Sequence, residues 1–284
     1  MPSPSLVVSD VGATAHAAVR AGGGVTTVIA PLSASVYCRV GEEIVWLGAR
    51  HATLHPRAVL TEAPVAEWAA VAPGDELELD VTGVAPWTPA PLPVGPRART
   101  ALSNNARALL RGRARLGTPD GFARLLDGQS PAFPLHQASG QAHALARAIH
   151  ADDADAAATV AIGLLGLGAG LTPSGDDFVG GMFFARRVIS ELDGQQPTAW
   201  DRAAGRVVAA ARTRTHSISV ALLSDMLGGA GHAPLHTLVA ALAADTSLES
   251  AQEAARALTR LGHSSGWDIL AGLLGGLLGP SAFA

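Results

Sequence analysis

The hydrophobic period of this chain changes once, near residue 97, and that change limits the fold more than any other feature. Before it, short segments rich in valine, isoleucine and threonine follow one another: Val25–Ile29, Ser35–Val40, Glu43–Leu47 and Ala58–Leu60. Glu76–Val81 alternates polar and apolar residues, as a half-buried strand does, and turn residues such as Pro73-Gly74-Asp75 separate the segments. After the change, apolar residues recur at helical spacing over Arg97–Leu116, Gly140–His150, Ala154–Leu167, Asp176–Leu192, Trp200–Arg212, Ser217–Leu227, Leu235–Ala243, Leu248–Leu261 and Trp267–Leu278. Alanine, the best helix former, dominates them. No strands alternate with these helices, so a parallel α/β sheet is not expected. The expected fold is α+β. Residues 1–96 form a small β-barrel or sandwich whose end, Pro86 to Pro96, is a proline-rich extended connector. Residues 97–284 form a larger α-helical domain.

Composition excludes several functions. Of 284 residues, 48% are apolar and 15% charged, unlike a disordered chain. All twenty basic residues are arginine, so lysine Schiff bases and a Walker-type phosphate lysine are absent. A net charge of −4 without a basic stripe argues against nucleic acid as partner. Cys38 is the single cysteine and makes neither an internal disulfide nor a cysteine zinc site. Met1–Asp10 lacks the order of a signal peptide. The uncharged runs Ala156–Leu171 and Ile269–Ala284 are each 16 residues, short of the roughly 20 a membrane span needs. A cytoplasmic protein without a membrane partner is expected. Trp46, Trp68, Trp87 and Trp200 read as core or boundary residues.

Chemistry concentrates at three helix starts. The first is Gly166-Leu167-Gly168-Ala169-Gly170-Leu171-Thr172-Pro173-Ser174-Gly175-Asp176-Asp177. Its glycines permit tight turns and close approach to a ligand. Thr172 and Ser174 offer hydroxyls, and Asp176 and Asp177 bring two carboxylates to the first helical turn. The carboxylates suit a substrate nitrogen, a general base or Mg²⁺; Mg²⁺ is the one cofactor the sequence suggests, and Asp176 and Asp177 are its candidate ligands. The second start is Gly262-His263-Ser264-Ser265-Gly266-Trp267-Asp268. Ser174-Gly175-x-Asp177-x-x-x-Gly181 matches Ser265-Gly266-x-Asp268-x-x-x-Gly272 position by position, 91 residues apart. We read this as a degenerate internal repeat whose helix N-termini could face one anionic ligand. The third start, Arg212 to Ser219, gathers arginine forks, His216 and hydroxyls.

An ordinary explanation competes with each of these. Ser-x-x-Asp before an apolar run is a capping box, worth ~1 kcal/mol with no function. The doubled Asp176-Asp177, the extra hydroxyls of Thr172 and Ser264, and His263 exceed what a cap needs. Gly262-His263-Ser264-Ser265-Gly266 has the form of a hydrolase elbow, but a helix precedes it and no histidine follows residue 263. No G-x-G-x-x-G is completed, and Pro234 interrupts the His232–His236 metal spacing.

The segments Gly168-x-Gly170-Leu171-Thr172-Pro173-Ser174-Gly175-Asp176-Asp177-Phe178, Thr215-x-x-x-Ser219 before Leu222-Leu223, and Gly262-His263-x-Ser265-Gly266-Trp267-Asp268 resemble the third, H-type subunit family of bacterial oxamate carbamoyltransferase. The resemblance spans about residues 20 to 280. It implies ureide breakdown, in which a carbamoyl group moves from oxalurate to phosphate, giving oxamate and carbamoyl phosphate. It also implies partner subunits.

The site expected from residues and resemblance together is as follows. Asp176, Asp177 and His263 are the catalytic candidates, His263 because its ordinary pKa of ~6.5 suits proton transfer. Gly170, Thr172, Ser174, Gly175, Thr215, Ser219, Ser264, Ser265, Gly266, Asp268 and Arg214 are the candidates for holding a small anionic substrate. Two alternatives remain open: a non-catalytic scaffold completing a site on partner chains, and a stand-alone hydrolase or lyase.

Overall fold

The computed structural model describes residues 5–62, 71–195, 198–244 and 248–284. Trp68 lies outside them. The chain divides into two compact units, Met1–Ala90 and Pro91–Ala284.

The first unit is a six-stranded barrel. Its strands are β1 (Ser5–Gly12), β2 (Val25–Pro31), β3 (Ser35–Val40), β4 (Glu43–Ala49), β5 (Ala58–Thr61) and β6 (Glu76–Asp80), with the two-residue β7 (Pro86–Trp87) added beside β1. Neighbours run in the order β5-β4-β3-β2-β6-β1, and a further pairing of β1 with β5 closes the ring. Closure removes the open sheet edges, which otherwise invite pairing with other chains. The alternation read in Glu76–Asp80 points Leu77 and Leu79 inward, beside Val11, Val28, Val36, Val45 and Leu47. A helix not expected from the β-like patterning of this region, α1 (Ala13–Ala21), adds Ala15, Ala18 and Val19 to that core. Cys38 is buried there; burial pushes its thiol up to about 12, so it stays protonated.

The second unit is helical. It contains α2 (Pro96–Arg111), α3 (Ser139–His150), α4 (Ala154–Leu164), α5 (Ser174–Leu192), α6 (Thr198–Ala211), α7 (Ser217–Leu227), α8 (Ala233–Ala243), α9 (Leu248–Thr259) and α10 (Ser265–Leu278). Each expected helix is present. The first ends at Arg111 rather than Leu116, because Gly112 breaks it and Arg113–Leu116 continues as a 3₁₀ turn. The unit begins at Pro91 rather than at residue 97. The Leu92 N–H donates to Glu191 and the Gly95 N–H to the Leu192 carbonyl, which ties the end of the proline segment to α5. Among the described residues no helix is long and apolar enough to cross a membrane.

Helices α5 and α10 form the centre of this unit and are buried along nearly their whole lengths. They cross at two glycines. A Cβ on Gly181 would stand 2.3 Å from the Ile269 carbonyl oxygen, and one on Gly272 would stand 2.2 Å from that of Phe178. Ile269 and Phe178 are themselves equivalent positions of the repeat, so the contact is reciprocal. Backbones meet here with no side chain between them.

This contact predicts that Gly272→Ala loses about 1–3 kcal/mol of stability through overpacking. Gly205→Ala, in α6 with open space around its Cα, should instead gain about 0.5–1 kcal/mol. Chemical denaturation of both variants checks the pair; an unchanged Gly272→Ala would show that the crossing has slack.

Candidate functional site

The α5–α10 crossing brings the two helix starts together. Neither start is a capping box. The N-cap residues are Pro173 and Ser264, and neither makes a side-chain cap bond. Ser174 and Ser265 stand inside the first turns, and hydroxyls from each start reach the other. Thr172 Oγ1 lies 3.1 Å from Ser265 Oγ, and Ser174 Oγ lies 3.2 Å from Ser264 Oγ. Gly175 and Gly266 play matching roles. Their N–H groups donate to the Leu167 and Leu261 carbonyls. An added Cβ would fall 2.0 Å from the Leu164 oxygen in the first case and 1.9 Å from the Leu258 oxygen in the second. Close approach to the preceding helix therefore accounts for both glycines, and their N–H groups are engaged within the fold. Gly170 is exposed at φ +93°, a conformation that favours glycine.

The three aspartates behave differently. Asp176 accepts from the Gly166 N–H at 2.8 Å, from Ser219 Oγ at 2.6 Å and from Thr215 Oγ1. Three of its lone-pair positions are thus filled. It clamps the glycine turn to the start of α7, and this accounts for the Thr215-x-x-x-Ser219 spacing. Asp177 and Asp268 are 4% and 0% exposed. Burial, reinforced by the nearby Asp268 carboxyl, pushes Asp177 well above the ordinary carboxyl range, while the Ser265 and Thr172 hydroxyls oppose the rise. Burial pushes Asp268 up to about 7, opposed by the Phe122 N–H and by the hydroxyls of Ser174 and Ser264. Each aspartate is served by the serine of the other motif. Asp177 Oδ2 and Asp268 Oδ2 are nonetheless buried without a hydrogen-bond partner.

A third segment completes the surroundings, one whose residues carry only ordinary turn composition. The 3₁₀ turn Gly121–Asp127 sits against Asp268: the Phe122 N–H donates to Asp268 Oδ1 at 2.6 Å, and a Cβ on Gly121 would lie 2.2 Å from the same oxygen. Phe122 stacks on Phe178 of α5, with ring centroids 4.6 Å apart. Asp120 accepts from the Gly121 N–H, and its other oxygen is 3.7 Å from His263 Nε2. The His263 ring is 98% exposed, at the rim rather than within the buried pair. Arg214 is also exposed, with its carbonyl against Gly166.

Both starts lie inside a recognised family segment. Residues 164–277 match the family model of oxamate carbamoyltransferase subunit AllH. This match supports the family that the motifs resemble, and it spans every helix from α5 to nearly the end of α10. No curated protein and no solved structure matches the chain.

Among the described residues no group of three or more His, Cys, Asp or Glu comes together to hold an ion. Asp176 has already given both oxygens to protein donors.

The buried pair predicts an unusual pH dependence. An acid whose folded pKa is raised binds its proton more readily in the folded chain. Its stabilising effect is complete below the unfolded value of ~3.9 and is lost as pH rises through the folded value. For Asp268 that window runs from ~4 to about 7. Asp268→Asn should flatten the fall in stability across this window, by a few kcal/mol relative to the parent, in denaturation measured at a series of pH values. Parallel pH profiles would mean that Asp268 titrates normally.

Proposed function

We propose that this chain is a subunit of an oxamate carbamoyltransferase, or of a closely related enzyme, and that its helical unit holds a small carbamoyl-bearing anion where the two Ser-Gly-x-Asp helix starts meet. The observation that carries the reading is the buried Asp177–Asp268 pair. Two carboxyl groups are brought together from positions 91 apart, raised in pKa, and left with one unpaired oxygen each. Packing alone does not call for this, and perturbed carboxyls of this kind gather at functional sites.

The residues divide into roles. Asp177 holds the substrate nitrogen, with the Asp268 carboxyl nearby. An Asp268 carboxyl at about 7 is suited to proton transfer near neutral pH. The hydroxyls of Thr172, Ser174, Ser264 and Ser265, each with one O–H and bonded within the cluster in the free chain, turn toward the carbamoyl oxygen when substrate binds. Such donors stabilise the oxyanion that forms when phosphate adds to the carbamoyl carbon. The new C–O bond forms as the C–N bond to oxamate breaks, and the leaving nitrogen takes a proton. Arg214 offers charge to the anionic end of the substrate at the rim. His263, beside Asp120, is placed for exchange of protons with solvent. Asp176 is a positioning residue. Partner subunits supply the rest of the enzyme.

The test is carbamoyl transfer by the complex reconstituted with its other subunits. Asp177→Asn should lower transfer at least ~100-fold while the chain stays folded and still joins the complex. Retention of full activity would favour the scaffold role, in which this chain supports a site on its partners.

A further inference from the structure

An open groove of about 390 Å³ lies between α6 and the C-terminal half of α7, lined by Ala204, Gly205, Val208 and Leu227 and by the side chains of Arg187 and Arg212. It is apart from the two helix starts. Ser219, which bonds Asp176, and Leu227, which lines the groove, stand eight residues apart on α7, about 12 Å along its axis.

The groove is kept open by a glycine that packing does not explain. Beyond the first turns of the described helices, Gly163, Gly180, Gly181, Gly272, Gly275 and Gly276 each have an atom within 3.1 Å of where a Cβ would stand, whereas Gly205 has none within 4 Å. Glycine inside a helix is destabilising relative to alanine, so Gly205 stands in α6 at a cost that no contact within the chain offsets. The two arginines differ. Arg187 is held in place: its Nε donates to the Leu227 carbonyl at 2.8 Å and its Nη1 to Asp201 at 2.6 Å, which balances its charge. Its Nη2 makes no bond among the described residues. Arg212 is exposed and pairs with no acid among them. The groove thus joins one uncompensated positive charge, a second guanidinium already fixed in position, and an apolar wall.

We propose that this groove binds a small monocarboxylate with an apolar body, its oxygens on the Arg212 guanidinium and on Nη2 of Arg187, and its hydrocarbon part over Gly205. One uncompensated charge matches a carboxylate better than a phosphate dianion, and guanidinium forks fit carboxylate oxygens. The Ser224 hydroxyl, also in the lining, adds a donor. The volume falls in the range of small-molecule sites, roughly 300–1,000 Å³, which combine apolar walls with a few placed polar groups. Oxalurate, oxamate and phosphate have no apolar body, so the occupant is a ligand other than those of the transfer reaction.

Benzoate, acetate and benzyl alcohol test the charge and the apolar wall separately. In ligand-observed NMR titrations of the full-length chain, benzoate should bind with a Kd of about 1–10 mM, at least about tenfold tighter than acetate, which lacks the body, or benzyl alcohol, which lacks the charge. Arg212→Ala and Gly205→Leu should each weaken benzoate at least about tenfold, the first by removing the charge and the second by filling the groove. Arg202→Ala, on the same helix but outside the lining, should leave its binding unchanged. Arg212 is exposed, so that variant keeps its fold, and circular dichroism checks Gly205→Leu. Absence of benzoate binding would overturn the proposal. So would acetate or benzyl alcohol matching benzoate, or benzoate binding that survives both Arg212→Ala and Gly205→Leu.

Discussion

The backbone-to-backbone crossing of α5 and α10 at Gly181 and Gly272 is the contact on which the helical unit depends. Any side chain at either position would push the helices apart, since the space for a Cβ is already filled by a carbonyl oxygen of the other helix. A closely packed crossing near the N-terminal ends also fixes how far apart those ends lie. Asp177 stands about one turn before Gly181, and Asp268 about one turn before Gly272. The glycines therefore set the separation of the carboxyls, although they take no part in chemistry themselves. Gly175 and Gly266 extend the same logic backward, by letting each preceding helix close onto the start of the next. What looks in sequence like a ligand-binding glycine pattern is in large part a packing pattern that places polar residues.

The placement works against stability. Two carboxyls held together away from water repel each other, and each pays for the loss of hydration. Folding tolerates this because the neighbouring positions are over-determined. Asp176 ties the glycine turn to Thr215 and Ser219, the stacked pair Phe122–Phe178 holds the 3₁₀ turn over Asp268, and the serines cross-link the two starts. Proteins keep such unfavourable groups where activity requires them and compensate elsewhere.

Much of this architecture is legible in the sequence because each unit keeps one hydrophobic period. The helices stand out by their apolar spacing, and five strands by alternation and turn residues. Strand β1 does not stand out, because Leu6-Val7-Val8 is a short apolar run followed by Ser9 and Asp10. Helix α1 does not stand out either, because nine alanine-rich residues inside a β region carry too little helical pattern. The repeat was legible, and with it the possibility that two helix starts meet. The role of Asp120-Gly121-Phe122 was not, because a Pro-Asp-Gly turn reads the same whether it faces water or covers a buried carboxyl.

The neighbours Asp176 and Asp177 show where a linear reading ends. Adjacent residues on a helix point about 100° apart, so identical side chains one position apart enter different surroundings. Asp176 meets three donors, two of them at the start of α7; Asp177 is buried where the Asp268 carboxyl is close enough to raise its pKa. A carboxylate surrounded by donors is a structural tie, and its charge is satisfied without help. A carboxyl buried near another carboxyl is instead driven toward its protonated form, and here one oxygen of each keeps no partner within the protein. The second motif repeats only the latter residue: position 267, the counterpart of Asp176, is a tryptophan, whereas position 268 is again aspartate. The repeat thus carries the buried, raised carboxyl in both copies and the carboxylate tied to protein donors in one copy alone.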